Sequence, residues 1–578
     1  MWSSLSSAAT VIFWISPTAG SNPRTISAGR GVEPASDGDL RLPALCTQSA
    51  PFSSPAAADR GAQWHVSVRV NDEVLTGFRD RLSFRFLGIR YAPQPVRFGH
   101  SIPFEGNGGA AEALDFGPKC PQPDDTGGED CLFLNIWTPF LPHNASVAAK
   151  RGLKPVMFWI HGGAFTSGSG NDTIFDGGSV ASRGDVVVVN INYRVGSLGF
   201  LALNDGATNG NYGLADQINA LNWIVKNIRS FGGDPSRITI FGQSAGAASV
   251  RALMASPKAV GKFAAAIPMS NLGGLYYGAT YSKYYTIAEQ VDVAAKPILD
   301  VTGCASAASQ VDCLRNVPAA QFNKAAAARY LLILSPGPAL PLRVMMGIVR
   351  DDAAPFIQYP KTTDQGDYLA SLGFAPPPRP ALFPVPDSTA NATLNLYNGT
   401  SRLATDAEFR CADQATAAAG ARGGRLGRAV FYYEFDRTYQ TPAWPRIDVC
   451  EPPATAARPR GDASRPYLRC HSGELLYVFG NVAREGLPPR DDVDLPFARL
   501  VIDSFVSFAR SYDQNPDPAF LAARGYTGTL SQVQSSRRWQ PSTAAGLTMR
   551  VLDWPPYQFR ELAQCDSLGL GLNYYING

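Results

Sequence analysis

Six short runs of apolar, largely β-branched residues set the strongest limit on this fold. They are "HVSVRV" (65–70), "LSFRFLGIRYA" (82–92), "CLFLNIWTP" (131–139), "KPVMFWIHGG" (154–163), "DVVVVNINYR" (185–194) and "RITIFGQ" (237–243). Continuous apolar runs of this length predict strands buried on both faces, as in a covered parallel sheet. Between the last two lies "GLADQINALNWIVKNIRSFGG". There Leu214, Ile218, Leu221, Ile224 and Ile228 recur at helical spacing, and Gly232 and Gly233 end the run. Strand, helix, strand in succession predicts an α/β architecture. Further on, "RAVFYYEF" (428–435) reads as another buried strand and "FARLVIDSFVSFARS" (497–511) as an amphipathic helix. "GFAPPPRPALFPVPD" (373–387) reads as a proline-rich loop.

The 578 residues are 45% hydrophobic and 17% charged, which allows a sizeable core. A net charge of +3 without a dense Lys/Arg run gives no sign of a nucleic-acid partner. No window approaches the roughly 18 apolar residues of a membrane span. The first 20 residues carry a short apolar stretch at 8–15 followed by small residues, which reads as a secretory leader without a basic start. Residues 21–60 are rich in Ser, Pro, Ala, Gly and Arg and read as poorly ordered, leaving 61–578 as a single catalytic domain. Sequons at Asn144, Asn171, Asn391 and Asn398 matter only in a secreted chain. Nine cysteines are present, and Cys304 with Cys313 and Cys450 with Cys470 read as local staples of an oxidising compartment. No Cys-x-x-Cys or His-x-x-x-His spacing occurs, so neither a metal nor an organic cofactor is expected.

The chemistry centres on "ITIFGQSAGAASV" (238–250), where Ser244 stands between a β-branched strand and a good helix former. A nucleophile at such a sharp turn needs small residues two positions either side, and Gly242 and Gly246 supply them. The following helix directs its free amides toward the reaction centre. A serine hydroxyl needs a base to take its proton. Of His65, His100, His143, His161 and His471, only His471 follows Ser244, as the chain order serine–acid–histidine requires. For the acid, Asp292, Asp300, Asp312, Asp351, Asp352 and Asp367 all lie between them. Asp351 and Asp352 follow the strand-like run "RVMMGIV", where an α/β sheet places its site. An oxyanion hole needs backbone N–H groups. Ala245 offers one, and Gly163 and Ala164 in "FWIHGGAF" offer two more, with Gly162 shaping the turn and His161 a structural neighbour.

Taken in order, "LGIRYA", "EDCLFLNIWTP", "WIHGGAF", "NYRVGSLGFL", "GNYGLADQ", "NIRSFGGDPSRITIFGQSAGAASV", "GCASAASQVDCLR", "GIVRDDAAPF" and "CHSGELLYVFG" carry a likeness over most of the chain. The chain resembles the type-B carboxylesterase/lipase family of α/β-hydrolases, fungal-type esterases among them. That resemblance implies an α/β-hydrolase fold with a central, mostly parallel sheet covered by helices on both faces. It implies hydrolysis of small-molecule carboxyl esters through an acyl-enzyme. It places the nucleophile at Ser244, the base at His471 and the acid at Asp352, where glutamate is commoner. It implies disulfides Cys120–Cys131 and Cys304–Cys313, with Cys450–Cys470 similar to a pairing in fungal members. Cys411 and Cys565 are then left as a further pair, and Cys46 has no assigned partner. The loop "CPQPDDTGGEDC" is short and lacks an aromatic residue, and Gln243 stands where cholinesterases carry glutamate. Both departures argue against a cation-binding cholinesterase and against a lipase with a long lid. Arg97 and Glu129 are the expected salt bridge of the shortened "YAPQPVRFG" region. A secreted lipase acting on longer-chain glycerides and a non-catalytic adhesion relative are the competing expectations.

Overall fold

The computed structural model describes residues 12–15, 24–27, 31–34, 59–142, 152–271, 285–324, 342–423, 426, 430–442, 444–445, 447–552 and 556–575. Most of the leader and of the segment read as poorly ordered therefore lies outside the described residues, as do Cys46, His143 and Asn144. Within that region three short strands, β1 (Ile12–Ile15), β2 (Arg24–Ser27) and β3 (Gly31–Pro34), pair antiparallel.

Among the described residues all other strands join one thirteen-stranded sheet. Its N-terminal part comprises β4 (His65–Val70), β5 (Glu73–Asp80), β6 (Ser83–Arg90), β7 (Gly109–Glu112) and β8 (Phe133–Thr138). The central part is β9 (Lys154–Ile160), β10 (Val187–Ile191), β11 (Gly233–Gln243), β12 (Ala265–Met269), β13 (Arg343–Val349) and β14 (Val430–Phe435). β15 (Thr548–Leu552) and β16 (Pro556–Gln558) close it. The order is β16-β15-β14-β13-β12-β11-β9-β10-β8-β6-β5-β4, with β7 beside β5.

From β10 through β15 every neighbouring pair is parallel, as the continuous apolar runs predict. The strands β4, β5, β6 and β8 are instead antiparallel. For β4, β5 and β6 chain length explains the difference. Two residues connect β4 to β5 and two connect β5 to β6, with Asn71 and Arg81 at positive φ. A two-residue turn can join only antiparallel strands, because a parallel crossover needs a dozen residues or more.

Alternate residues of the central strands feed two separate cores. Val156, Phe158, Ile160, Val187, Val189, Ile238 and Ile240 pack with Leu221, Ile224 and Ile228 of the segment around α2 (Tyr212–Asn227). Met157, Trp159, Val186, Val188, Phe241 and Ile267 pack on the other face with Phe497, Val501, Phe505 and Phe508. Those phenylalanines belong to α4 (Asp494–Ser511), three residues longer at its start than the apolar run predicts. Two smaller helices, α1 (Gly178–Gly184) and α3 (Ala245–Ala255), complete the layers that matter for the site. Burial on both faces is what fixes the strands' register.

Four disulfides staple the loops: Cys120–Cys131, Cys304–Cys313, Cys450–Cys470 and Cys411–Cys565. Arg97 meets Glu129 with two hydrogen bonds, Nε to Oε2 at 2.7 Å and Nη2 to Oε1 at 2.5 Å. Deeper in, Arg194 after β10 grips Asp216 of α2 through Nε and Nη2, both at 2.8 Å, and donates to the Gly99 carbonyl at 2.9 Å. Asp216 is fully buried and Arg194 nearly so. Removing one partner of such a pair strands a charge. Asp216→Ala is therefore expected to lower the unfolding free energy by about 3–5 kcal/mol in urea titration, and Arg194→Met/Asp216→Leu to recover most of it. A single variant within about 1 kcal/mol of wild type would refute this account of the pair.

Candidate active site

Four loops at the carboxyl ends of parallel strands of the sheet converge on Ser244. β9 leads into the Gly162–Gly163 turn, β11 ends at Gln243, β13 leads to Asp351 and Asp352, and the chain after β14 carries His471. An open α/β sheet places ligands at this end of its strands.

Ser244 sits at φ 60° and ψ −125°, between β11 and α3. Few non-glycine residues tolerate such a backbone, and it lasts only where the surroundings enforce it. Its N–H donates to the Met269 carbonyl, and its own carbonyl accepts from Ala248 N–H, both at 3.0 Å. The two flanking glycines leave no choice of residue. A Cβ on Gly242 would stand 2.6 Å from the Gly246 carbonyl oxygen and 2.7 Å from that of Ile160. A Cβ on Gly246 would stand 2.1 Å from the Ile160 oxygen. The turn thus packs directly on the end of β9, where the Gly-Gly loop begins.

That loop is itself left-handed: Gly163 has φ 105°, Ala164 φ 55° and Phe165 φ 60°. The Gly163 carbonyl turns away from the serine to accept from Thr166 and Ser167 N–H at 3.0 Å. Among the described residues the N–H groups of Gly163, Ala164 and Ala245 have no hydrogen-bond acceptor. Ala245 is the first residue of α3, so its N–H is one of the free amides of a helix start. His161 stacks on Tyr193 with centroids 4.2 Å apart and contacts its neighbour's carbonyl, Gly162 O, through Nδ1 at 2.8 Å. Burial pushes its imidazole down to about 4, so it stays neutral at ordinary pH.

His471 is buried, and its Nδ1 lies 2.5 Å from Asp352 Oδ1. The other carboxylate oxygen of Asp352 accepts from Val349 N–H at 3.1 Å. A proton on Nδ1 facing a carboxylate leaves a lone pair on Nε2. That lone pair is met by the side-chain amide of Gln243, with Nε2 to Nε2 at 2.9 Å. The Ser244 hydroxyl is not hydrogen-bonded to His471 in this arrangement. The two adjacent aspartates do different things. Asp351 exchanges backbone and side-chain bonds with Arg469, its N–H to Arg469 O at 3.0 Å and its Oδ2 to Arg469 N–H at 2.9 Å. It thereby straps down the loop that carries His471, as do Gln440, which donates to the His471 carbonyl at 2.9 Å, and the Cys450–Cys470 disulfide. Asp292, Asp300, Asp312 and Asp367 are exposed and stand apart from this group.

Three further neighbours had no role assigned from the sequence. Phe356, Phe409 and Trp444 surround the imidazole, with centroids 5.1, 5.4 and 5.8 Å away. Phe356 closes the quoted stretch "GIVRDDAAPF", four residues after Asp352, which is the one hint the sequence held. Glu474 is buried three residues beyond His471, with Oε2 unpartnered. Burial, and secondarily the charge of Asp352, push its carboxyl up to about 8.

The Carboxylesterase family model matches residues 69–357. The chain is 40% identical over 243 residues to human bile salt-activated lipase, covering 40% of this chain and 30% of that protein. It is 42% identical over 198 residues to para-nitrobenzyl esterase of Bacillus subtilis, covering 32% of this chain and 39% of that one. The matched stretch thus spans about a third of each of these relatives. In three dimensions it resembles a carboxylesterase of Geobacillus stearothermophilus, with TM-score 0.66 and 28% identity, over 87% of this chain and 99% of the other.

Because Glu474 binds its proton more tightly folded than unfolded, its contribution to stability is complete below pH 4.5 and is lost as pH rises through about 8. Glu474→Gln cannot ionise. Its melting temperature relative to wild type is expected to climb steadily across that window. A constant difference between the two proteins would show that Glu474 does not titrate this way.

Proposed function

Because the chain belongs to the carboxylesterase family, we propose that it is a serine carboxylic-ester hydrolase working through an acyl-enzyme, with Ser244, His471 and Asp352 as its triad. The observation that carries this reading is the convergence of three things. A serine is held at φ 60° before a helix start. A buried histidine is bonded to a buried carboxylate at 2.5 Å. Unengaged amides stand on both sides of the serine.

The chemistry follows from these groups. His471 Nε2 takes the Ser244 proton as Oγ attacks the ester carbonyl carbon. This requires the serine hydroxyl to replace the Gln243 amide at the same lone pair, a tightening expected when substrate fills the site. The carbonyl oxygen becomes an oxyanion and accepts from the N–H groups of Gly163, Ala164 and Ala245. As the carbon–oxygen bond to the alcohol breaks, His471 returns the proton to the departing alkoxide. Water then repeats the sequence on the acyl-enzyme and releases the acid. Asp352 keeps the imidazole in the tautomer that presents Nε2 and offsets the imidazolium that forms. Glu474, held neutral near pH 7, adds no second negative charge beside Asp352.

Four disulfides support residence in an oxidising compartment outside the cytosol. Among the described residues no helix is long and apolar enough to cross a membrane.

An organophosphonate probe followed by intact-mass measurement and peptide mapping tests the triad. One stoichiometric adduct, on Ser244, is expected. Ser244→Ala should abolish it and lower ester turnover by orders of magnitude while leaving the melting curve in place. Folded wild type that takes no adduct, or takes it elsewhere, would overturn the reading in favour of a non-catalytic relative.

A further inference from the structure

Asn171, Asn391 and Asn398 are the sequon asparagines among the described residues, and the fold treats them differently. Asn171 is half-buried, with both ends of its side-chain amide bound into the fold. Its Nδ2 donates to the Gly117 carbonyl at 2.6 Å, and its Oδ1 accepts from Asn192 Nδ2 at 3.3 Å. Asn398 is half-buried within the helix Ala392–Thr405, and the rest of its sequon, Gly399 and Thr400, is buried. A Cβ on Gly399 would stand 3.1 Å from the Pro386 ring. Asn391 is exposed and stands at the N-cap of that same helix. It uses only one end of its amide. Oδ1 accepts from Leu394 N–H at 3.1 Å and from the Thr393 hydroxyl at 2.7 Å. Among the described residues Nδ2 donates to no acceptor.

We propose that Asn391 is an N-glycosylation site, taking an oligosaccharide on Nδ2. The inference rests on residence outside the cytosol, which the four disulfides support. The donor is an oligosaccharide carried on a lipid pyrophosphate. Nδ2 attacks the anomeric carbon, and the bond from that carbon to the pyrophosphate oxygen breaks. Nδ2 gives up one proton as the lipid pyrophosphate leaves, and nothing is oxidised or reduced. Sugar is added to chain that has not yet folded, so each sequon is reachable at that stage. Folding then decides which asparagine can keep it. The Asn171 nitrogen must face the Gly117 carbonyl rather than solvent. At Asn391 the two ends of the amide serve separate purposes. The glycosylated side chain is still an amide, so Oδ1 continues to cap the helix while Nδ2 is left to solvent. The sugar also lies away from the catalytic loop. Thr405, at the other end of the helix, accepts from Ala353 N–H at 3.0 Å beside Asp352. At a rise of 1.5 Å per residue it lies roughly 20 Å along the axis from Asn391.

The full chain, produced in a eukaryotic host, is treated with a peptide N-glycosidase in heavy-oxygen water. This converts each sugar-bearing asparagine to a labelled aspartate, which peptide mapping locates. Label at Asn391, with none at Asn171 or Asn398, is expected. Asn391→Asp keeps a capping oxygen but no acceptor nitrogen. It should lose the whole oligosaccharide mass and still fold. Thr393→Val removes only the sequon hydroxyl and should also lose the label. Label that persists in Thr393→Val would be deamidation and would overturn the proposal. So would a bare Asn391 in protein whose four disulfides have formed, or label at Asn171 or Asn398 with Asn391 bare. Protein recovered with free thiols and no sugar would fail the compartment reading and take this proposal with it.

Discussion

The whole site hangs on how closely the ends of two strands approach. The Ile160 carbonyl, last in β9, would stand within 3 Å of a Cβ on either Gly242 or Gly246. This contact brings the Gly-Gly loop to the side of Ser244 and forces the serine into a conformation it would not choose. Strain of this kind costs of order 1–3 kcal/mol and persists only because the sheet around it is rigid. The rigidity comes from two separate cores, one on each face of β9 and β11, so neither strand can slide without exposing both sets of side chains.

Polarity near the site is arranged by burial more than by ion pairs. His161 lies on one side of the turn and burial keeps it neutral. Glu474 lies near His471 and burial keeps it protonated near pH 7. The formal charges are spent elsewhere. Arg350 and Arg469 gather around Asp351 and Asp436, and Arg437 and Arg490 around Asp494. Burial works against the charge of Asp351, yet the Arg350 guanidinium beside it wins and holds its carboxyl below the usual range. The pair Asp351–Asp352 therefore divides its labour: the first fixes the loop, the second faces the imidazole.

Local pattern reached the elements but not the contacts between distant ones. The parallel centre of the sheet was legible because strands buried on both faces must be apolar throughout. The antiparallel N-terminal part was not read, although the two-residue turns at Asn71 and Arg81 held the information. His471 could be singled out because one histidine follows Ser244, and Asp351 could not be told from Asp352 without a family likeness. The bond from Gln243 to His471 joins residues 228 positions apart. Phe356 meets Trp444 through a loop whose path nothing local dictates. Such pairings depend on tertiary placement, to which hydrophobic period and turn chemistry are blind.

The glutamine that precedes Ser244, where cholinesterases carry glutamate, then acquires a physical meaning. An ionised glutamate at 243 could only accept, so it would suit the imidazolium and add a charge to a buried site. The amide of Gln243 can donate to neutral His471, as it does here, and after a half-turn of its plane can accept from the imidazolium. It thus accommodates both protonation states that the proposed acyl transfer requires without adding charge.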